Sequence, residues 1–191
     1  MSSNIAASKE ALRREMRARS VMPAERGAAS AMLCESILSL DCWQQARAVL
    51  FFAPLSDEPD IFQLSQRALS EGKLTALLRF KPSEQFFEPV AIENLERDLV
   101  AGHFGVREPA AHCPVVPMNR LDLILVPGLA FDSYGRRLGR GKGFYDRLLA
   151  AAAHGTKCGI CFDWQLVETV PTEAHDAVLD CIVTPTRWLK F

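Results

Sequence analysis

Apolar positions along this chain follow two rhythms, a helical one near the start and short unbroken runs further on. Leu12 and Met16 recur at i, i+4, as do the basic Lys9, Arg13 and Arg17, so a helix capped by Ser8 would pack one stripe and leave the other polar. Pro23 suits the first turn of a second helix, in which Met32, Leu33, Ile37 and Leu40 give the core spacing until residues 41–45 break it. Residues 46–53 then read as a buried strand stopped by Pro54. Asp57, with Pro59 behind it, opens a third helix through Ile61, Leu64, Ala68 and Leu69, which Gly72 closes before a strand at 73–80.

From 81 to 117 proline and glycine interrupt the pattern, leaving short apolar pieces at 86–92 and 95–100. Residues 121–126 (LDLILV) are a strong buried-strand pattern, 128–143 a glycine-rich loop, and 144–153 a helix ended by Gly155. Strands follow at 157–162 and 178–183. Strands alternating with helices, with no hairpin dipeptide joining neighbours, imply right-handed crossovers and a mostly parallel sheet covered on both faces. The 191 residues suit one α/β domain over 1–191, with no internal repeat or linker.

Composition limits the partners. With 22 basic and 23 acidic residues and a net charge of -1, the chain lacks the general excess of cations that gripping nucleic acid or an anionic membrane requires. No run approaches the roughly 18–20 apolar residues of a membrane span, and residues 1–19 are polar and Arg-rich, without the apolar core of a secretory signal. A cytoplasmic protein is expected. The 6 cysteines lack a regular spacing and are expected to stay reduced. Cys158 and Cys161 lie in the strand pattern KCGICF, where positions i and i+3 face opposite sides, so they read as core thiols and not as a redox or metal pair.

The chemistry concentrates in residues 135–146, GRRLGRGKGFYD. Gly139, Gly141 and Gly143 permit positive φ and close approach of the main chain to a ligand, and a helix start with unpaired amides follows at once. Arg136, Arg137, Arg140, Lys142 and Arg147 stand against Asp146 alone, so the local field is positive and phosphate is the expected guest. A Walker loop would need Gly and Ser/Thr where Arg136 and Gly143 stand, and a dinucleotide fingerprint would need Gly at Phe144. Asp146 either caps the helix dipole or holds a Mg2+ that bridges phosphates. His175-Asp176 is a second acidic position before the last strand, Asp57 reads as an N-cap, and Glu58 has no structural need. His103, His112, His154 and Ser133 suggest no triad.

Residues 126–132 (VPGLAFD) together with 135–146 resemble the signature of the 5-formyltetrahydrofolate cyclo-ligase family. Lys9-x-x-Leu12-Arg13, Glu58, residues 104–109 (FGVREP), Gln165-Leu166-Val167 and His175-Asp176 extend the resemblance over nearly the whole chain. It implies a Rossmann-like α/β three-layer sandwich with a mostly parallel sheet, similar to the phosphosugar isomerase and CoA transferase class. The substrates it implies are ATP, with Mg2+, and 5-formyltetrahydrofolate.

Carried over residue by residue, the resemblance implies that Lys9 and Arg13 contact the ATP phosphates, which turns the N-terminal basic face from a solvated stripe into part of the site. Arg137, Gly139, Arg140, Gly141, Lys142, Gly143, Phe144 and Tyr145 would form the nucleotide loop, with Lys142 and Arg137 as the catalytic cations. Asp146 and Asp176 would bind the metal, and Ala53 and Glu58 the folate. Many family members carry Tyr and Gly in place of Arg140 and Lys142, and Thr in place of Ile61. The expected reaction phosphorylates the formyl oxygen and closes the ring by attack of N10. A phosphosugar isomerase working without ATP and a non-catalytic nucleotide or folate binder are the competing readings. Phe52, Phe104 and Trp164 are the candidates to pack on the pterin, and the chain is expected to act as a monomer or weak homodimer with no nucleic-acid or membrane partner.

Overall fold

The computed structural model describes residues 2–19, 23–152 and 154–191. Helix α1 covers Ser2–Ala18. It starts before Ser8, which is internal, and the Ser8 hydroxyl donates to the Asn4 carbonyl at 2.9 Å. Helix α2, Pro23–Leu38, buries Leu33, Cys34 and Ile37 and leaves Met32 53% exposed, so the core stripe begins one residue later than expected. The expected break at 41–45 is the short helix α3, Asp41–Gln45, which drives Trp43 into the core.

Strand β1, Ala48–Phe51, is buried throughout. Helix α4, Phe62–Ser70, starts five residues after Asp57, which does not cap it. The N-cap position is Ile61, and Asp60 just before it accepts from the Phe62 amide at 3.0 Å. Strands β2, Leu74–Lys81, and β3, Phe86–Ile92, form an antiparallel hairpin that the missing turn dipeptide did not announce; its turn closes through Gln85 at φ 48. The segment that followed no period contains the small sheet of β4, Leu99–Ala101, and β5, Arg107–Pro109. After β6, Leu123–Val126, the presumed open loop folds into a second hairpin, β7 at Ala130–Phe131 with β8 at Arg137–Leu138. Helix α5, Phe144–Ala150, and strands β9, Thr156–Ile160, β10, Cys181–Val183, and β11, Trp188–Lys190, follow; Ala153, in the expected extent of α5, lies outside the described residues.

The main sheet has the order β11-β10-β9-β6-β1-β2-β3. Its interior pairs are parallel, and antiparallel β11 and β3 close its edges. Strand residues alternate between two apolar layers. Val49, Phe51, Leu123 and Leu125 pack with Leu33, Ile37 and Trp43, whereas Leu50, Ile124, Val126 and Phe131 pack with Leu148 and Leu149. The result is the expected three-layer α/β sandwich. Cys158 and Cys161 fall in opposite layers, as their spacing requires, and the cysteines are free thiols. Met16 fastens α1 to Leu129, Ala130 and Leu138, which brings the N-terminal helix beside the glycine loop. Among the described residues, no helix is long and apolar enough to cross a membrane.

Candidate active site

From β1 the chain moves outward to β2 on one side, and from β6 to β9 on the other, so neighbouring β1 and β6 flank a topological switch point. Ligands of open α/β sheets bind at such crevices, beyond the carboxyl ends of the strands. Here Phe52 and Ala53 follow β1, Pro127 and Gly128 follow β6, and all four line a cavity of about 450 Å³. Lys9, Arg13, Glu58, Arg137, Gly139, Arg140, Gly141, Lys142, Gly143, Phe144, Tyr145, Asp146 and Asp176 line the same cavity, so the structure brings every candidate site residue together.

The β7–β8 hairpin carries Arg137 into the interior. Its guanidinium donates from Nη2 to Asp146 Oδ1 at 2.8 Å and from Nη1 to the Pro127 carbonyl at 3.5 Å, while Nε is buried without a partner. Gly141 at φ 102 and Gly143 at φ 63 then turn the loop into α5, and a Cβ at Gly141 would stand 3.4 Å from the Arg13 guanidinium. Arg13 Nε donates to the Gly139 carbonyl at 3.0 Å, tying α1 to the loop.

Lys9 is buried, and its ammonium donates to Glu173 Oε2 at 2.9 Å and Asp176 Oδ2 at 2.6 Å. Burial opposes its charge, but the hydrogen bonds to the two carboxylates outweigh it and raise the Lys9 pKa. Asp176 is the mirror case: burial works against ionisation, yet Lys9 and the Glu173 amide hold its carboxyl below the usual range. The basic stripe of α1 is therefore not one solvated face, and only Arg17 of the series remains largely exposed.

Glu58 proves to have a structural partner. Its Oε2 accepts from the Leu55 amide at 3.0 Å, and its Oε1 receives Arg140. Burial raises its pKa, and Leu55 and Arg140 oppose that rise. Burial also raises the pKa of Tyr145 beside it.

These pairings correct the expected unopposed positive field. Five cations line the cavity (Lys9, Arg13, Arg137, Arg140, Lys142), but so do five carboxylates (Glu58, Glu108, Asp146, Glu173, Asp176). A polyphosphate entering such a balanced site must displace carboxylates from their cations or arrive with cations of its own.

Glu173, His175 and Asp176 form a cluster whose ligand atoms all lie within 4.8 Å of one another. Glu173 and Asp176 already share one positive charge, that of Lys9, and supply the oxygen donors a hard cation prefers. A second cluster, Asp98, His112 and Cys113, is a closed turn: the Asp98 carboxylate already accepts from the Glu93 and Asn94 amides and from Arg97. Sequence reasoning missed Glu173, Glu108 and Phe87 as lining residues. The pairing of Glu173 with Lys9, 164 positions away, left no local signal. Of the pterin candidates, Phe52 lines the cavity, whereas Trp164 stacks on Phe162 at 5.8 Å; the Phe104 side chain lies outside the described residues.

The profile of the 5-formyltetrahydrofolate cyclo-ligase family matches residues 5–185. A Mycolicibacterium smegmatis protein named 5-formyltetrahydrofolate cyclo-ligase is 36% identical over 146 residues, 74% of this chain and 75% of its own length. The mouse protein of the same name is 26% identical over 189 residues, covering 90% and 91% of the two chains. Among solved structures, Aquifex aeolicus 5,10-methenyltetrahydrofolate synthetase superposes with a TM-score of 0.85 at 29% identity, over 95% of this chain and 92% of that one.

Proposed function

The chain belongs to the 5-formyltetrahydrofolate cyclo-ligase family, and from that premise we propose that it converts 5-formyltetrahydrofolate and ATP to 5,10-methenyltetrahydrofolate, ADP and phosphate. One observation carries this reading. Glu58, the folate carboxylate, and Arg140, from the nucleotide loop, touch inside a cavity that also holds Lys9, Arg13 and the acidic cluster. Two ligands bound there would share a wall.

The formyl oxygen attacks the γ-phosphorus, the bond to the β,γ-bridging oxygen breaks, and ADP leaves. N10 then attacks the activated carbon, a C–N10 bond forms, and the C–O bond breaks to release phosphate, with loss of the N10 proton. Formyl oxygen is a weak nucleophile, so the protein's contribution is alignment and charge stabilisation. Arg137 and Lys142 neutralise charge on the transferring phosphoryl group, with the buried Arg137 held against Asp146. Lys9 and Arg13 hold the outer phosphates. Asp176 and Asp146, with Glu173 beside Asp176, are the carboxylates that would hold Mg2+, and the metal supplies the extra positive charge that a neutral cavity lacks. No acyl-enzyme nucleophile is needed.

The test is to mix the protein with Mg-ATP and 5-formyltetrahydrofolate and follow methenyl-folate absorbance together with ADP. Equal appearance of both products is expected. ADP without methenyl-folate, or neither product, would overturn the reading.

A further inference from the structure

The resemblance gives folate recognition to Glu58, yet the cavity holds a second buried carboxylate that the proposed mechanism does not use. Glu108, on β5, is only 5% exposed and lines the cavity. Its Oε1 accepts from the His103 amide at 2.9 Å, and its Oε2 faces the Phe80 amide at 3.3 Å and His103 Nδ1 at 3.4 Å. Among the described residues no lysine or arginine pairs with it. Glu58, by contrast, already carries Arg140.

The chain is built to seat this side chain. Gly102 has an ordinary extended backbone, with φ -118 and ψ -162, that any residue could adopt. A Cβ there would nevertheless stand 2.5 Å from Glu108 Cγ and 2.7 Å from its Cδ. Glycine at 102 thus makes room for one carboxylate. Around it stands an aromatic wall: the Phe80 ring lies 5.2 Å from His103 and 5.6 Å from Phe144, and Phe87 meets Phe144 edge-on at 5.0 Å. Phe87 and Phe144 line the cavity.

A reduced pterin is a flat ring whose amidine edge offers two adjacent donors, N3–H and the 2-amino group. Its recognition requires an apolar wall for the ring and an in-plane acceptor pair for that edge, and a carboxylate matches two parallel donors as it does a guanidinium. Glu108 beside the Phe87/Phe144 wall combines the two. Resting on the folate reading of the cavity, we infer that Glu108 is a specificity-determining residue that accepts from the pterin amidine edge, leaving Glu58 to the part of the folate nearer the nucleotide loop.

The experiment compares 5-formyltetrahydrofolate with its 2-desamino-2-methyl analogue, which keeps N3–H and replaces the amino donor by a methyl group. Hydrogen bonds to charged groups correspond to about 10- to 100-fold in affinity, so wild type should turn over the analogue with kcat/KM lower by about that factor. Glu108→Gln should lower kcat/KM for the natural folate by a similar factor, leave the KM for ATP unchanged, and shrink the discrimination to a few-fold. Glu58→Gln should keep the discrimination. A merely structural Glu108 would leave the ratio between the two folates where it was. The inference is overturned if wild type does not discriminate, if Glu108→Gln discriminates as wild type does, or if Glu58→Gln abolishes the discrimination. The last comparison decides the matter even where Glu108→Gln does not fold. Failure of wild type to form any methenyl-folate would instead sink the assignment of the reaction.

Discussion

Arg140 reaches from the glycine loop to the end of the first strand and places Nη2 3.1 Å and Nε 3.2 Å from the same oxygen of Glu58. The loop residue expected on ATP thus rests on the carboxylate proposed to bind the folate. Burial raises the Glu58 pKa, while the Leu55 amide and Arg140 hold it down; Asp57 and Tyr145 are the other titratable groups coupled to it. Replacing Arg140 by Met removes an opposing positive charge, so the Glu58 pKa rises further and a smaller fraction is ionised at any acid or neutral pH. The acid limb of kcat/KM for folate should move to higher pH, with a loss that is largest on the acid side and narrows at alkaline pH. The profile is measured at saturating Mg-ATP. An unmoved limb together with a raised KM for ATP would place Arg140 on phosphate.

Lys9 and Asp176 set a different pH window. The Asp176 pKa lies below its ordinary 3.8, so its contribution to stability is present above that value and lost as the pH falls through the folded pKa. The Lys9 pKa lies above 10.5, so its contribution is full below that value and lost as the pH rises through the folded pKa. The bridge is therefore intact across neutral pH. Lys9→Met removes the ammonium shared by Glu173 and Asp176 and should cost about 1–3 kcal/mol, or roughly 2–12 °C in Tm for a chain of this size. Thermal melting at neutral pH checks this.

The same carboxylates make a prediction about metal. Asp176→Asn removes one of the charges that would hold Mg2+, so the free Mg2+ needed for half-maximal turnover at saturating ATP should rise by about tenfold or more. Turnover measured against free Mg2+ reads this directly. An unchanged Mg2+ requirement would remove Asp176 from the metal set.

What the sequence made legible followed from local pattern. Buried runs such as 121–126 became interior strands because consecutive apolar residues suit a sheet covered on both faces, and the alternating glycines marked a loop whose backbone takes positive φ at Gly141 and Gly143, though not at Gly139. What escaped it depends on distance along the chain. The β7–β8 hairpin has strands of two residues each, too short for any period to register. The cavity's charge balance was invisible because Arg140 finds Asp57 and Glu58 more than 80 positions away, and Lys9 crosses nearly the whole chain to reach Glu173 and Asp176. Counting charges within the loop therefore overstated its field.

Arg137 combines burial with two acceptors reached from different nitrogens, the Asp146 carboxylate and the Pro127 carbonyl, while its Nε is left without a hydrogen-bond partner. Lysine cannot reproduce the fork that reaches Asp146 and the Pro127 carbonyl together. Arg137→Lys should lower kcat by about 10²- to 10³-fold while changing the KM for ATP much less, as expected for charge stabilised mainly in the transition state. Steady-state kinetics on both substrates separate the two effects. A raised KM for ATP with normal kcat would make Arg137 a ground-state ligand.

Asp132 explains why an acidic residue follows the apolar VPGLAF run. It is fully buried, yet its Oδ1 accepts from the Tyr134 and Arg136 amides at 2.9 and 3.1 Å and its Oδ2 from the Val170 amide at 2.8 Å. One carboxylate thus closes the turn of the β7–β8 hairpin and anchors the segment leading to Glu173. Asp132→Ala leaves three amides without an acceptor, which should cost about 3–5 kcal/mol and lower Tm by roughly 6–20 °C. Asp132→Asn keeps one acceptor but turns a donor toward either the turn amides or Val170, so its loss should be smaller than that of Ala and still measurable. Because the hairpin carries Arg137 and the Val170 segment leads to Glu173, the stability loss should come with weaker Mg-ATP binding in the fraction that remains folded. Thermal melts with and without Mg-ATP test both parts; a Tm within about 2 °C of wild type for Asp132→Ala would mean that the turn holds without its carboxylate.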